Sequence, residues 1–83
     1  MTPQDARRHV AEALTAIVPD ADIDGLAEDA SLRDELELDS LDFLSFVEQL
    51  STRAQVRIDE TDYPELATLG SSVAFVVNRT VGG

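Results

Sequence analysis

Apolar positions recur along this 83-residue chain in three blocks at helical spacing, parted by polar stretches. In the first block Ala6, Val10, Ala13, Leu14 and Ile17 stand three and four residues apart, which puts them on one face of a helix. Thr2 can cap that helix, and Pro3 occupies its first position, where a missing N–H is no loss. Pro19 ends it near Val18. In the second block Phe43, Phe46, Val47, Leu50 and Ala54 form one stripe. Asp39 or Ser40 opens this helix, since either side chain can accept from the free N–H groups of a first turn. Leu41 and Leu44 fall on a different face, with Glu48 one turn further on, so these two leucines are surplus to the core stripe. In the third block Leu69, Val73, Val76 and Val77 supply the buried face of a last helix capped by Thr68. Gly70 and the valines weaken its propensity, so packing must hold it.

The stretches between the blocks carry their own signals. Gln55–Ile58 alternates and predicts an extended segment with Val56 and Ile58 on one side. Asp59, Thr61 or Asp62 can cap a short helix over Tyr63–Ala67, with Pro64 tolerated in its first turn. Residues 19–38 form a long acidic connection that Ile23 with Leu26, and Leu32 with Leu36, can pin to the core. One helical turn fits around Ser31–Leu36, and a connection of this length is usually functional. The expectation is an all-α single domain over residues 1–83, a bundle of three main helices and one short one with a long acidic first loop. Residues 80–83, with Gly82 and Gly83, read as a frayed tail.

Charge narrows the partners. Seventeen acids against six bases leave a net charge of −11. That excess disfavours nucleic acid and anionic membrane, and favours basic protein surfaces. Of it, −9 lies in residues 20–42, with ten acids and the single base Arg33. There is no cysteine and one histidine, so the chain offers no disulfide, no thiolate metal site and no thiol nucleophile of its own. His9 reads as a solvated or half-buried helix residue and Tyr63 as a packing residue. No apolar stretch approaches the length of a membrane span, and no leader pattern follows Arg7 and Arg8, so a cytoplasmic protein is expected; separately, a monomer is expected.

The most informative residues are Asp39-Ser40-Leu41-Asp42. They set a hydroxyl at the start of an amphipathic helix, where unpaired N–H groups and partial positive charge favour a phosphate ester. No histidine lies within sequence reach as a base, so Ser40 suits a group attached by another enzyme better than nucleophilic catalysis. Read alone, the motif is equally a helix cap.

The run Leu32-Arg33-Asp34-Glu35-Leu36-Glu37-Leu38-Asp39-Ser40-Leu41-Asp42 resembles the signature of acyl carrier proteins. The likeness extends over the chain. It takes in the Pro-terminated first helix, Asp29-Ala30-Ser31-Leu32 in the acidic loop, Val56-Arg57-Ile58 before the third helix, and Thr68-Leu69 opening the fourth. The resemblance implies a carrier and not an enzyme. Ser40 would receive 4′-phosphopantetheine from coenzyme A through a separate phosphopantetheinyl transferase and its magnesium ion. The arm's thiol would then hold acyl groups as thioesters. Asp39 would flank the modified serine on one side and Asp42 on the other, both meeting partner arginines or lysines. Leu41 and Leu44, with Glu37 and Glu48, fall where partners dock. Those partners would be ketosynthase, acyltransferase or acyl-ligase type enzymes with basic patches.

Several positions depart from housekeeping fatty-acid carriers. Ser45 replaces a usual Glu, Glu48 an apolar residue, Ser51 and Thr52 acids, Ala54 an aromatic, and Glu37 a Gly. These departures point to polyketide or other specialised fatty acyl metabolism. The second acid, Asp42, and the absence of Gly-Gly before the serine region speak against a peptidyl carrier. A competing expectation is a non-prosthetic acidic adaptor or weak calcium module. Asp20, Asp22 and Asp24, followed by Gly25, match the opening of an EF-hand loop, but the position for its bidentate Glu is Ser31.

Overall fold

The computed structural model describes residues 1–80, which form α1 (Pro3–Ile17), α2 (Leu32–Glu35), α3 (Ser40–Ala54), a 3-10 helix (Glu60–Leu66) and α4 (Leu69–Thr80). Thr2 caps α1 as expected, its hydroxyl accepting from the Asp5 N–H at 3.1 Å. Ala6, Val10, Ala13 and Leu14 of α1 are buried, and Ile17 packs on their edge. The stripe of α3 is buried residue for residue: Phe43, Phe46, Val47, Leu50 and Ala54. α1 lies against both α3 and α4, and the 3-10 helix lies against α4. The Cα radius of gyration is 11.4 Å, close to the roughly 12 Å expected for this length.

The long first loop is tied down at both ends of its acidic run. Ile23 is buried, Leu26 half-buried, and Leu32 fully buried at the start of α2. Arg7 on α1 pairs with Glu28. The Glu28 carbonyl accepts from the Gly70 N–H at 2.8 Å, and the Leu32 N–H donates to the Ala67 carbonyl at 2.9 Å. The glycine in α4 is explained by this approach. A Cβ at position 70 would lie 3.1 Å from the Glu28 carbonyl oxygen, tighter than most real contacts.

Four expectations need correction. The short helix starts at Glu60, three residues before Tyr63, and Pro64 is its fifth residue, beyond the first turn. Asp62 is the reason. It is 6% exposed, accepting from the Asp59 N–H at 3.0 Å and from the Arg79 guanidinium at 2.5 Å, so it is a buried anchor. In α4, Ser72 and Phe75 are buried with Leu69 and Val76, while Val73 and Val77 flank the stripe half-buried. Burial of Ser72 is tolerated because its hydroxyl donates to the Thr68 carbonyl at 2.7 Å. Gln55 is not extended; at φ 55° it closes α3 in the left-handed region, and Val56 and Ile58 then turn onto the core as expected. Thr80 belongs to α4, its hydroxyl donating to the Val76 carbonyl at 2.9 Å. The rest of the expected tail, Val81, Gly82 and Gly83, lies outside the described residues.

Candidate functional site

The approach to Ser40 is set by how α2 ends. Glu37 adopts φ 53°, and the Leu38 N–H reaches back to the Arg33 carbonyl at 2.9 Å, the six-residue closure usual for a helix C-terminus. That reversal drops Leu38 into the core and presents Asp39 as the cap of α3. A side chain in this backbone region is strained by roughly 1 kcal/mol, and glycine is not. Glu37→Gly is therefore expected to stabilise the domain by about 0.5–1 kcal/mol, seen as a higher urea midpoint at unchanged slope.

Asp39 and Asp42 form a reciprocal cap. The Asp39 carboxylate accepts from the Asp42 N–H at 2.8 Å, and the Asp42 carboxylate faces the Asp39 N–H at 3.5 Å. Ser40 is the first residue of the 15-residue helix that follows, and it is exposed. The hydroxyls of Ser31, Ser51, Ser71 and Ser72 are all engaged in hydrogen bonds. Among the described residues the hydroxyls of Ser40 and Ser45 have no partner, and that of Ser40 is the one at a helix start. It stands beside the unpaired N–H groups and positive end of α3.

Ser40 also stands on the rim of a groove of about 430 Å³. Phe43 and Leu44 of α3, Tyr63 and Pro64 of the 3-10 helix, and Ala67 make its mostly apolar wall, with Arg33 of α2 at its side. The Tyr63 ring meets Phe43 edge-on at 5.5 Å, and the Arg33 guanidinium lies over the Phe43 face at 5.5 Å. The pattern of apolar residues did not single out Arg33 and Tyr63. The one signal was that Arg33 is the sole base among ten acids.

Leu41, Leu44 and Asp42 lie within the first turns of α3 beside Ser40, and Glu48 lies further along the same helix. Leu41 is 74% exposed, and Leu44 is 41% exposed while still lining the groove. Glu37, Asp39 and Glu48 are exposed, and Asp42 is half-buried within its cap. Asp20, Asp22 and Asp24 do not converge: Asp22 accepts from the Gly25 N–H at 3.2 Å, and no group of three or more ligating side chains occurs among the described residues. His9 is half-buried on α1, its Nδ1 3.9 Å from Glu12 and without a hydrogen bond. No helix among the described residues is long and apolar enough to cross a membrane.

Comparison with known proteins identifies relatives over most of the chain. Residues 7–76 match the family model described as a phosphopantetheine attachment site. An acyl carrier protein of Exiguobacterium sp. is 31% identical over 75 residues, covering 90% of this chain and 89% of that protein. An acyl carrier protein of Kineococcus radiotolerans is 34% identical over 53 residues, 64% of this chain and 65%, just under two thirds, of that relative's length. In fold the chain is similar to the solved acyl carrier protein from Enterococcus faecalis, with a TM-score of 0.75 at 22% identity, covering 96% of this chain and all of that one.

Proposed function

The chain belongs to the acyl carrier protein family, whose members are carriers with covalently attached 4′-phosphopantetheine, and from that premise we propose that Ser40 is the attachment residue. The observation that carries this reading is the Ser40 hydroxyl itself: exposed, free of hydrogen bonds among the described residues, first in a capped helix and on the rim of an apolar groove. The residues fit the group. A phosphate ester on Ser40 Oγ would meet the N-terminal end of α3, which favours negative charge. Asp39 keeps its carboxylate on the Asp42 N–H, so the cap survives modification. When bound, the arm supplies the terminal thiol on which an acyl group is held as a thioester.

Attachment forms a bond between Ser40 Oγ and phosphorus while the pyrophosphate linkage of coenzyme A breaks; adenosine 3′,5′-bisphosphate leaves, and the hydroxyl proton passes to the transferase or to solvent. The family's general partners are a phosphopantetheinyl transferase and biosynthetic enzymes. For this chain we place their docking on Leu41 and Leu44, flanked by Glu37, Asp39, Asp42 and Glu48. Exposed leucines offer apolar anchors, and the surrounding carboxylates steer basic partners. The pathway we favour is polyketide or specialised fatty acyl synthesis. Its support is the outer face of α3, where Ser45 and Thr52 stand exposed and Ser51 half-buried, with Glu48 the only acid past Asp42.

Incubation with coenzyme A, magnesium and a broad-specificity transferase is expected to add one phosphopantetheinyl increment by intact-mass analysis. An unchanged mass contradicts the reading.

A further inference from the structure

Resting on Ser40 as the tether, we propose that the groove prefers acyl chains carrying acceptor oxygens beyond the thioester, oxo or carboxylate groups, and that Arg33 and Tyr63 bind those oxygens. Arg33 differs from the other arginines in its pairing. Arg7, Arg8, Arg57 and Arg79 each face a carboxylate, and Arg53 bonds to Gln49. Arg33 has Asp34, Glu35 and Glu37 as chain neighbours, yet its guanidinium makes no ion pair or hydrogen bond with any described residue. It lies instead over the Phe43 ring, on the wall of the groove that Ser40 borders. Tyr63 is half-buried with its ring edge on Phe43, and its hydroxyl likewise has no partner among the described residues.

The groove thus combines an apolar wall with two idle donors, one of them charged. A saturated chain would fill the apolar part and offer neither donor an acceptor, leaving the exposed Arg33 guanidinium to water and the half-buried Tyr63 hydroxyl unmatched along the chain. An oxo or carboxylate oxygen on the chain supplies the acceptor, and hydrogen bonds from a cation are the stronger kind. A site that bonds such an oxygen disfavours the analogue lacking it. Tethering at Ser40 makes the encounter intramolecular, so a modest interaction is enough to hold the chain in the groove.

The test loads the full chain through the transferase with hexanoyl-, 3-oxohexanoyl- or glutaryl-coenzyme A, and with coenzyme A alone. Intact mass verifies each product. The Arg33 Nε–H resonance and the melting temperature are then compared. The 3-oxohexanoyl and glutaryl forms are expected to shift the Arg33 signal and to melt on the order of 4 °C above the hexanoyl form. Arg33→Met should erase that difference, on top of a shift common to every form from loss of the Phe43 contact, and Tyr63→Phe should reduce it. Three results overturn the inference: a hexanoyl form at least as stable as the others, an equal loss in all forms on Arg33→Met, or a full Arg33 shift with the uncharged arm. The last would mean that Arg33 holds the arm's phosphodiester. Loading without oxygen preference defeats this inference alone, whereas failure to load defeats the attachment reading as well.

Discussion

Ser40→Ala is expected to lose the phosphopantetheinyl increment completely, while its thermal melt stays within a few degrees of the unmodified wild type. Loss is total because no bond to phosphorus can form without the hydroxyl. Stability is spared because Ser40 is exposed, and the cap of α3 is made by Asp39 and Asp42, not by the serine. Alanine is also a better helix former than serine in the first turn, so the change should lie within about 0.5 kcal/mol. Circular dichroism beside intact-mass analysis separates the two effects. A variant that unfolds would mean that Ser40 supports the fold, and a variant that still gains the increment would place the arm elsewhere.

Phe46→Ala has the largest expected effect on stability. Phe46 is fully buried on the stripe of α3 and stands 6.2 Å from the Phe43 ring. Removing a buried aromatic side chain of this kind costs about 3–5 kcal/mol. A small domain has on the order of 5 kcal/mol to lose, so the melting temperature should fall by about 20 °C or the unmodified chain should be largely unfolded at 37 °C. A conservative Phe46→Leu should recover much of the loss. Phe43 carries the groove wall next to Phe46, so the effect bears on the site as well. A melt within a few degrees of wild type would show that the core does not rest on this contact.

The first two helical blocks were legible because their burial follows the helical period. The five residues of the α3 stripe are the five that the structure buries. The surplus leucines were legible for the complementary reason: Leu41 and Leu44 fit no core face and are exposed. The short helix before α4 was placed too late because three caps were open in sequence: Asp59 is the one used, while Asp62, bonded to the Asp59 N–H and to Arg79 from 17 residues away, is a buried anchor. Ser72 was overlooked because a serine enters a core only when a local carbonyl takes its hydroxyl, here that of Thr68. Gly70 looked like a weakness of propensity and is a point of close approach to Glu28. At the site, Ser40 with its cap could be read from four consecutive residues. The groove could not, since Arg33, Phe43 and Tyr63 come from three separate elements and meet only in the fold.

The central claim, that Ser40 carries the arm, is tested most directly by locating the added mass. Wild-type chain treated with coenzyme A and transferase is digested, and the modified peptide is sequenced by tandem mass spectrometry. The account predicts a single modified residue, Ser40, with Ser31, Ser45, Ser51, Ser71 and Ser72 unmodified. Modification at any of those serines with Ser40 bare would contradict it.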